Sequence, residues 1–307
     1  MAMCYSAIAS QRAHAADNTI EELIITGKRP GPKLWKVHNG DNILWVMGIA
    51  EPLPKSLDWD DASIKLVMEQ SHAFLTPPTI NVSVNNPLKA VGLFRQYKKL
   101  QKLPKGTTLN DTLSLSRQQS YKKIIDQYGI KTNKKLRPLF VAKQLHEKAL
   151  KRVGLEDAER LHKKLFKLAK TNKVDIIHAS SEMDVNEALK MLKNVDQQAE
   201  LKCFDATLKR LDKSVERSIR TAQAWADGDH QALTEIALNN NDNSCTDALI
   251  NSAQALAAVE ASKALWLEQA QTVLLKNKVS FAYLPIIDIV SPDGLISSLN
   301  RNLNATN

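Results

Sequence analysis

The chain has 307 residues, 43% hydrophobic and 24% charged, a globular balance that excludes wholesale disorder and allows one large domain with its own core. With 42 Lys and Arg against 33 Asp and Glu the formal charge is +9, which favours anionic surfaces without identifying a nucleic-acid module. The 10 Gly and 11 Pro are too few for the turns of an all-β fold, so a mostly helical chain is expected.

The N-terminal stretch Met1 to Ala16 holds a short apolar run, Ala2 to Ala9, and then Ala13-His14-Ala15, a small-x-small pattern of the kind signal peptidase reads. A basic n-region is missing. Residues 1–16 therefore read as a clipped signal peptide, with a periplasmic or secreted product, or as a simple tail on a cytoplasmic chain. The first reading is preferred because the folded pattern starts only after Asp17. Residues 17–33 are expected to be a linker, broken by Gly27-Lys28-Arg29-Pro30-Gly31-Pro32, and residues 34–303 a single domain.

Leu34-Trp35-Lys36-Val37 and Ile43 to Met47 flank an Asn-Gly turn and predict a β-hairpin, with a loop longer than two residues. Asp58 to Ser71 predicts an amphipathic helix, with acids near its positive end and Ile64, Val67 and Met68 on its apolar side. Phe74-Leu75 begins a strand. Thr79 to Val84 alternates Ile80, Val82 and Val84, which predicts a second strand with one buried face.

From Pro87 to about Ala226 the pattern is helix after helix. Breaks fall at Pro104-Lys105-Gly106, Gly129, Pro138, Gly154 and near Asn172, with one short strand at Val174 to Ile177. The basic residues concentrate between Lys98 and Lys173, and with Leu161, Leu165 and Leu168 they read as a solvated helix face over a buried stripe. Thr246 to Lys276 predicts one long helix, Val279 to Leu284 a last strand, and Leu295 to Leu299 a final short helix. Strands this far apart must meet in one sheet, because an isolated hairpin is not stable. The expected fold is helix-rich α/β, a mixed central sheet wrapped by helices with a helical insertion. No apolar run reaches the ~18 residues needed to span a bilayer.

Three residue classes bear on chemistry. Without Cys4 one cysteine pair remains, Cys203 and Cys245, which reads as a disulfide in an oxidising compartment or as two unrelated buried thiols. The seven histidines include no H-E-x-x-H and no close i, i+4 pair. His178 follows a strand near Ser180 and Ser181, but no G-x-S-x-G elbow accompanies it; His72 precedes Phe74 and is expected beside any cleft at the sheet. Trp35, Trp45 and Trp59 near Lys33 and Lys36 offer a stacking surface for sugars or bases; in the preferred reading Trp35 and Trp45 instead pack the hairpin onto helices.

Leu34 to Trp59 resembles the opening of the TraB/GumN (Tiki-like) family: a hairpin, a glycine at Gly48, then Leu53-Pro54-Lys55 and Leu57-Asp58-Trp59. Leu103 to Leu109, Arg137-Pro138, Ala224-Trp225-Ala226-Asp227-Gly228-Asp229 and Val279 to Leu299 extend the resemblance over roughly residues 34 to 300. The family's presumed metalloproteases resemble this layout with a G-x-x-H at each end and a glutamate between, a set that can hold a divalent metal and activate water. Carried across, the first motif falls on Gly48-Ile49-Ala50-Glu51, the glutamate near Thr76, and the second motif on Pro285-Ile286-Ile287-Asp288. The family's Arg-Asn pair falls on Ser262-Lys263 before Trp266.

Both motif histidines are therefore replaced by acids and the glutamate by a threonine. The resemblance then implies an exported, non-catalytic protein that binds an unknown protein or small molecule through a degenerate metal-hydrolase cleft. No cofactor is expected, although Glu51 and Asp288 could hold a hard divalent cation as an all-oxygen pair. The alternatives are a divergent metal-dependent hydrolase that uses those two acids, and a basic helical nucleic-acid binder. The basic residues spread over helices without a recognisable module, so no specific nucleic acid is expected. The oligomeric state is not legible.

Overall fold

The computed structural model describes residues 29–55, 57–84, 87–239, 244–250 and 252–306. Residues 1–16, most of the expected linker, and most of the polar loop after Leu238 lie outside them.

In chain order the elements begin with β1 (Leu34–Asn39), β2 (Asn42–Ile49), β3 (Leu53–Pro54), α1 (Ala62–Gln70), β4 (Ala73–Leu75), β5 (Thr79–Ser83) and α2 (Pro87–Leu100). The helical region follows with α3 (Leu109–Thr112), α4 (Leu115–Gln127), α5 (Pro138–Arg152), β6 (Leu155–Glu156), α6 (Glu159–Thr171), β7 (Asp175–Ile177), β8 (Ser180–Asp184), α7 (Val185–Lys193) and α8 (Gln197–Asp227). The chain closes with α9 (His230–Leu238), α10 (Ser244–Leu249), α11 (Ala253–Lys276), β9 (Val279–Pro285), α12 (Ile286–Val290) and α13 (Leu295–Thr306).

The central sheet has the order β1-β2-β9-β4-β7. Only β1 is antiparallel to its neighbour; β2, β9, β4 and β7 run parallel. The hairpin turn is tighter than expected. His38 and Asn39 extend the ladder onto Ile43 and Asn42, leaving Gly40-Asp41 as a two-residue turn. Gly40 sits at φ +58°, the region such turns use and glycine enters without strain.

Alternation along the strands divides the core. Val37, Leu44, Val46, Leu75, Ala282 and Leu284 face α11 and α13, where Trp266, Val273 and Leu299 meet them. Met47, Phe74, Phe281 and Tyr283 face the other way, onto α1 and the helical insertion. Inside that insertion α5 and α8 lie along each other, and α4 is tied to α8 by the two-pronged Arg117–Asp205 pair at 2.8 Å. The sequence leaves Cys203 and Cys245 open between bridge and free thiols; the structure joins them as a disulfide between α8 and α10.

Arg137 explains why the insertion holds one shape. Pro138 opens α5, and the Arg137 guanidinium reaches back to Leu100 O and Leu192 O, both 3.0 Å. It also pairs with Glu200, which is 2% exposed on α8. One side chain thus ties together the ends of α2, α7 and the start of α8.

Four expectations change. The strand at Thr79 pairs only with β8, in a separate two-stranded sheet, and Val82 is exposed, so it has no buried face. The helix expected from Thr246 to Lys276 is divided: Ser252 caps α11 by accepting from Ala255 N at 3.1 Å. The last helix runs on to Thr306, because Leu303 continues its buried stripe. Residues 29–33 belong to the fold. Arg29 exchanges backbone bonds with Asp58 and Asp60, and Gly31 N donates to Ala226 O at 2.9 Å.

Candidate functional site

Parallel strands put their carboxyl ends on one edge, and ligands of open α/β sheets bind there. Here that edge carries the residues that follow β2, β4, β7 and β9, and it opens into a cleft of about 1440 Å³. Ile49 to Pro52, Thr76, His178 and Tyr283 line its inner end, with His162 and Phe166 supplied by α6.

Glu51 is the first of the expected positions to be engaged. Its Oε1 lies 3.2 Å from His162 Nε2, with both side chains part-exposed at the cleft wall. Tyr283 completes the group: its ring lies 5.3 Å from that of His162, and burial, then the Glu51 charge, push its phenol up to about 12. The phenol is therefore a neutral donor at ordinary pH. Phe166, one turn beyond His162, stacks on His178 at 6.0 Å. The peptide bond from Glu51 to Pro52 is cis. Thr76 is 4% exposed at the end of β4, and its backbone N donates to Ile177 O at 3.0 Å.

Asp288 has a different setting. It lies on α12, half-buried, and is not among the residues lining the cleft. Burial holds its carboxyl above the ordinary range, against the opposing charge of Lys263 on α11. Lys263 also pairs with Glu260 at 3.2 Å, and Ser262 turns its hydroxyl to Val259 O at 2.7 Å. Of the substituted positions near the C-terminus, Asp288 feels the charge of Lys263, while Ser262 bonds within its own helix.

The donor set bears on the metal that the resemblance implies. Glu51 and His162 are one carboxylate and one imidazole side by side. Among the described residues no three His, Cys, Asp or Glu side chains are grouped to hold a metal ion. The residues present do not fit a water-activating metal site, which needs about three protein ligands.

The glycines of the resembling motifs are accounted for by packing. A Cβ on Gly48 would meet the Trp35 ring at 2.8 Å and Ile286 at 3.1 Å. Trp225 Nε1 donates to Gly48 O at 2.8 Å from within the core, and the Trp225 ring packs edge-on to Trp59 at 5.5 Å. Gly228 ends α8 at φ +65°, where a Cβ would strike Gly31 O at 2.8 Å, and Asp229 caps α9 by accepting from Ala232 N. Trp35 stacks on His230 at 4.1 Å. Trp35, Trp59 and Trp225 therefore pack the hairpin to the helices.

A second cleft wall comes from α5 and α8. His146 Nε2 lies 3.1 Å from Ser214 Oγ, and burial, then the Arg217 charge, hold this imidazole below its ordinary value. Lys143, Arg210 and Arg217 stand along the same wall, so Glu51 is the one carboxylate among four charged lining residues.

Sequence reasoning did not find His162, which it read within a solvated basic face. The available signal was its i, i+4 spacing to Phe166 at the edge of the Leu161–Leu165 stripe. His72 is corrected. It precedes β4, so it lies at the amino end of the parallel strands, away from the cleft, where its N donates to Val279 O at 2.9 Å.

A family model described as the TraB/PrgY/gumN family matches residues 33–302. No curated protein and no solved structure matches the chain.

Proposed function

The chain belongs to the TraB/PrgY/gumN family, and from that premise we propose that it is an exported, non-catalytic member that captures a ligand or protein partner in its sheet-end cleft. The observation that carries the proposal is the pairing of Glu51 with His162 beside Tyr283. Where the resemblance puts the first metal-binding histidine, a carboxylate lies 3.2 Å from an imidazole and can accept hydrogen bonds from a guest. Asp288, the counterpart at the second motif, is absent from the cleft lining, which leaves that pair unsupported as a ligand set.

Recognition then rests on four features. Glu51 accepts hydrogen bonds, neutral Tyr283 donates one, the Arg217 side of the wall attracts negative charge, and apolar surface covers the remainder of the guest. The Cys203–Cys245 bridge supports export, since such bonds persist in oxidising compartments.

Peptide and ester hydrolysis assays with Mn²⁺, Co²⁺ or Zn²⁺ added test the non-catalytic reading. No metal-dependent turnover is expected. Turnover that disappears in Glu51→Ala would instead establish a divergent hydrolase. For export, the mass of the protein isolated from the cell envelope should correspond to cleavage after Ala15 and to one closed disulfide. An uncleaved chain with free thiols in the cytoplasm would contradict it.

A further inference from the structure

Apart from Tyr97, which lines the cleft, the helix α2 carries apolar residues that the cleft does not use. Its apolar residues span a wider arc than its neighbour covers. Leu93 and Leu100 are half-buried on the side where α2 packs on α7. Val91, Phe94 and Tyr97, spaced three apart, form a second stripe beside it and are 61%, 59% and 38% exposed. Residues three apart are neighbours on a helix, so these side chains make one continuous apolar ridge, which faces solvent at Val91 and Phe94 and reaches the cleft lining at Tyr97.

The charge around the ridge is one-signed. Lys89, Arg95, Lys98, Lys99, Lys102 and Lys105 are six cations, and residues 87–110 contain no acid. None of the six is engaged in an ion pair within the described residues. Lys98 instead lies over Phe94 and Tyr97, at 5.3 and 5.9 Å from the ring centres. On other helices Lys65, Lys122, Lys143 and Lys163 each have a carboxylate one turn away, which α2 lacks. An uncovered apolar ridge on an unbalanced basic helix is the pattern of a segment that lies in a bilayer interface, with its rings in the acyl boundary and its lysines at the headgroups.

We propose that α2 docks the protein onto an anionic lipid surface, with Val91 and Phe94 entering the interface and the flanking cations holding the headgroups. The contact is peripheral, as no helix among the described residues is long and apolar enough to cross a membrane. Charge complementarity selects the occupant: the ridge alone would suit any apolar partner, but six unpaired cations require a dense anionic surface. The docking residues Val91 and Phe94 lie outside the cleft lining.

The test is co-sedimentation of the full chain with vesicles of phosphatidylcholine alone or with phosphatidylglycerol added. Binding to the anionic vesicles only, weakened by salt, is expected. Replacing Arg95, Lys98 and Lys99 by Gln should lower partitioning about fivefold per cation removed, from about 1 kcal/mol per charge at the surface. Val91→Ser with Phe94→Ser should reduce binding at constant charge. Both sets alter exposed side chains, and unchanged circular dichroism confirms that the fold persists. In a Phe94→Trp variant, fluorescence quenched by brominated lipid beyond the wild-type level places the ridge in the bilayer. Failure to bind, binding unchanged by these substitutions, or equal binding to neutral vesicles each overturns the proposal. Self-association that requires Phe94, without lipid binding, would reassign the ridge to a second copy of the chain.

Discussion

The two ends of the β2–β9 pair differ in what they keep. They are adjacent in register, Gly48 opposite Leu284 and Ile49 opposite Pro285. At the β2 end the glycine survives, wedged against Trp35 and Ile286 and bonded through its carbonyl to Trp225. At the β9 end a proline stands where the resemblance has a glycine. It is exposed, and with φ −51° it leads into α12. Proline at a strand end omits one ladder donor and favours the entry to a helix. The comparison teaches that glycine 48 is held by the packing of the hairpin, whereas the β9 position follows its local backbone. The retained motif glycine is thus accounted for by the scaffold.

Substitution at the two ends should separate these roles most widely. Gly48→Val drives a branched side chain into the Trp35 ring and should destabilise the protein by about 3 kcal/mol in urea titrations, while Pro285→Gly should change stability by about 1 kcal/mol or less. Equal losses would break the comparison. Next in size is Trp225→Phe. It keeps most of the ring but leaves the buried Gly48 carbonyl without its indole donor, and about 2 kcal/mol should be lost by the same measurement.

The two acids sharpen the comparison through pH. Asp288 has a folded pKa above its unfolded value, so the fold favours its protonated form. Its contribution is complete below the ordinary carboxylate range and is lost as pH rises through the raised value. Asp288→Asn should therefore stabilise the protein at neutral pH and flatten its pH–stability curve above the carboxylate range. Glu51→Gln should have little effect on stability, because Glu51 is part-exposed at the cleft wall.

The smallest effect concerns Tyr283. Its phenol should titrate near 12, and Glu51→Gln should bring it partway down while burial keeps it above 10.0. Since the folded value is the higher one, the associated stability is intact below pH 10.0 and lost between there and about 12. Ultraviolet titration of wild type against Tyr283→Phe isolates this group.

Much of the scaffold was legible because local periodicity coincides with burial. The hairpin, α1, the helix starts at Pro138 and after Gly154, and the last strand all follow from apolar spacing and punctuation. β3, β6 and β8 were missed: two or five residues long, they are strands only because a distant partner runs beside them. The split between α10 and α11 was hidden because Ala and Leu continue the helical pattern across Ser252. At the site, the family positions on β2 and β9 could be aligned from sequence. The approach of His162 to Glu51 could not, since it depends on α6 crossing the sheet edge from over a hundred residues away. Asp288 was paired with Glu51 by motif; its half-buried setting on α12, outside the cleft lining, appears only in the folded chain.

Metal content tests the central claim most directly: that the scaffold persists while the cleft residues no longer form a metal site. Purified, folded protein incubated with Mn²⁺, Co²⁺ or Zn²⁺ and then desalted should retain far less than one equivalent by elemental analysis, with no difference between wild type and Glu51→Ala. One tightly held equivalent in the wild type, absent from Glu51→Ala, would contradict the account.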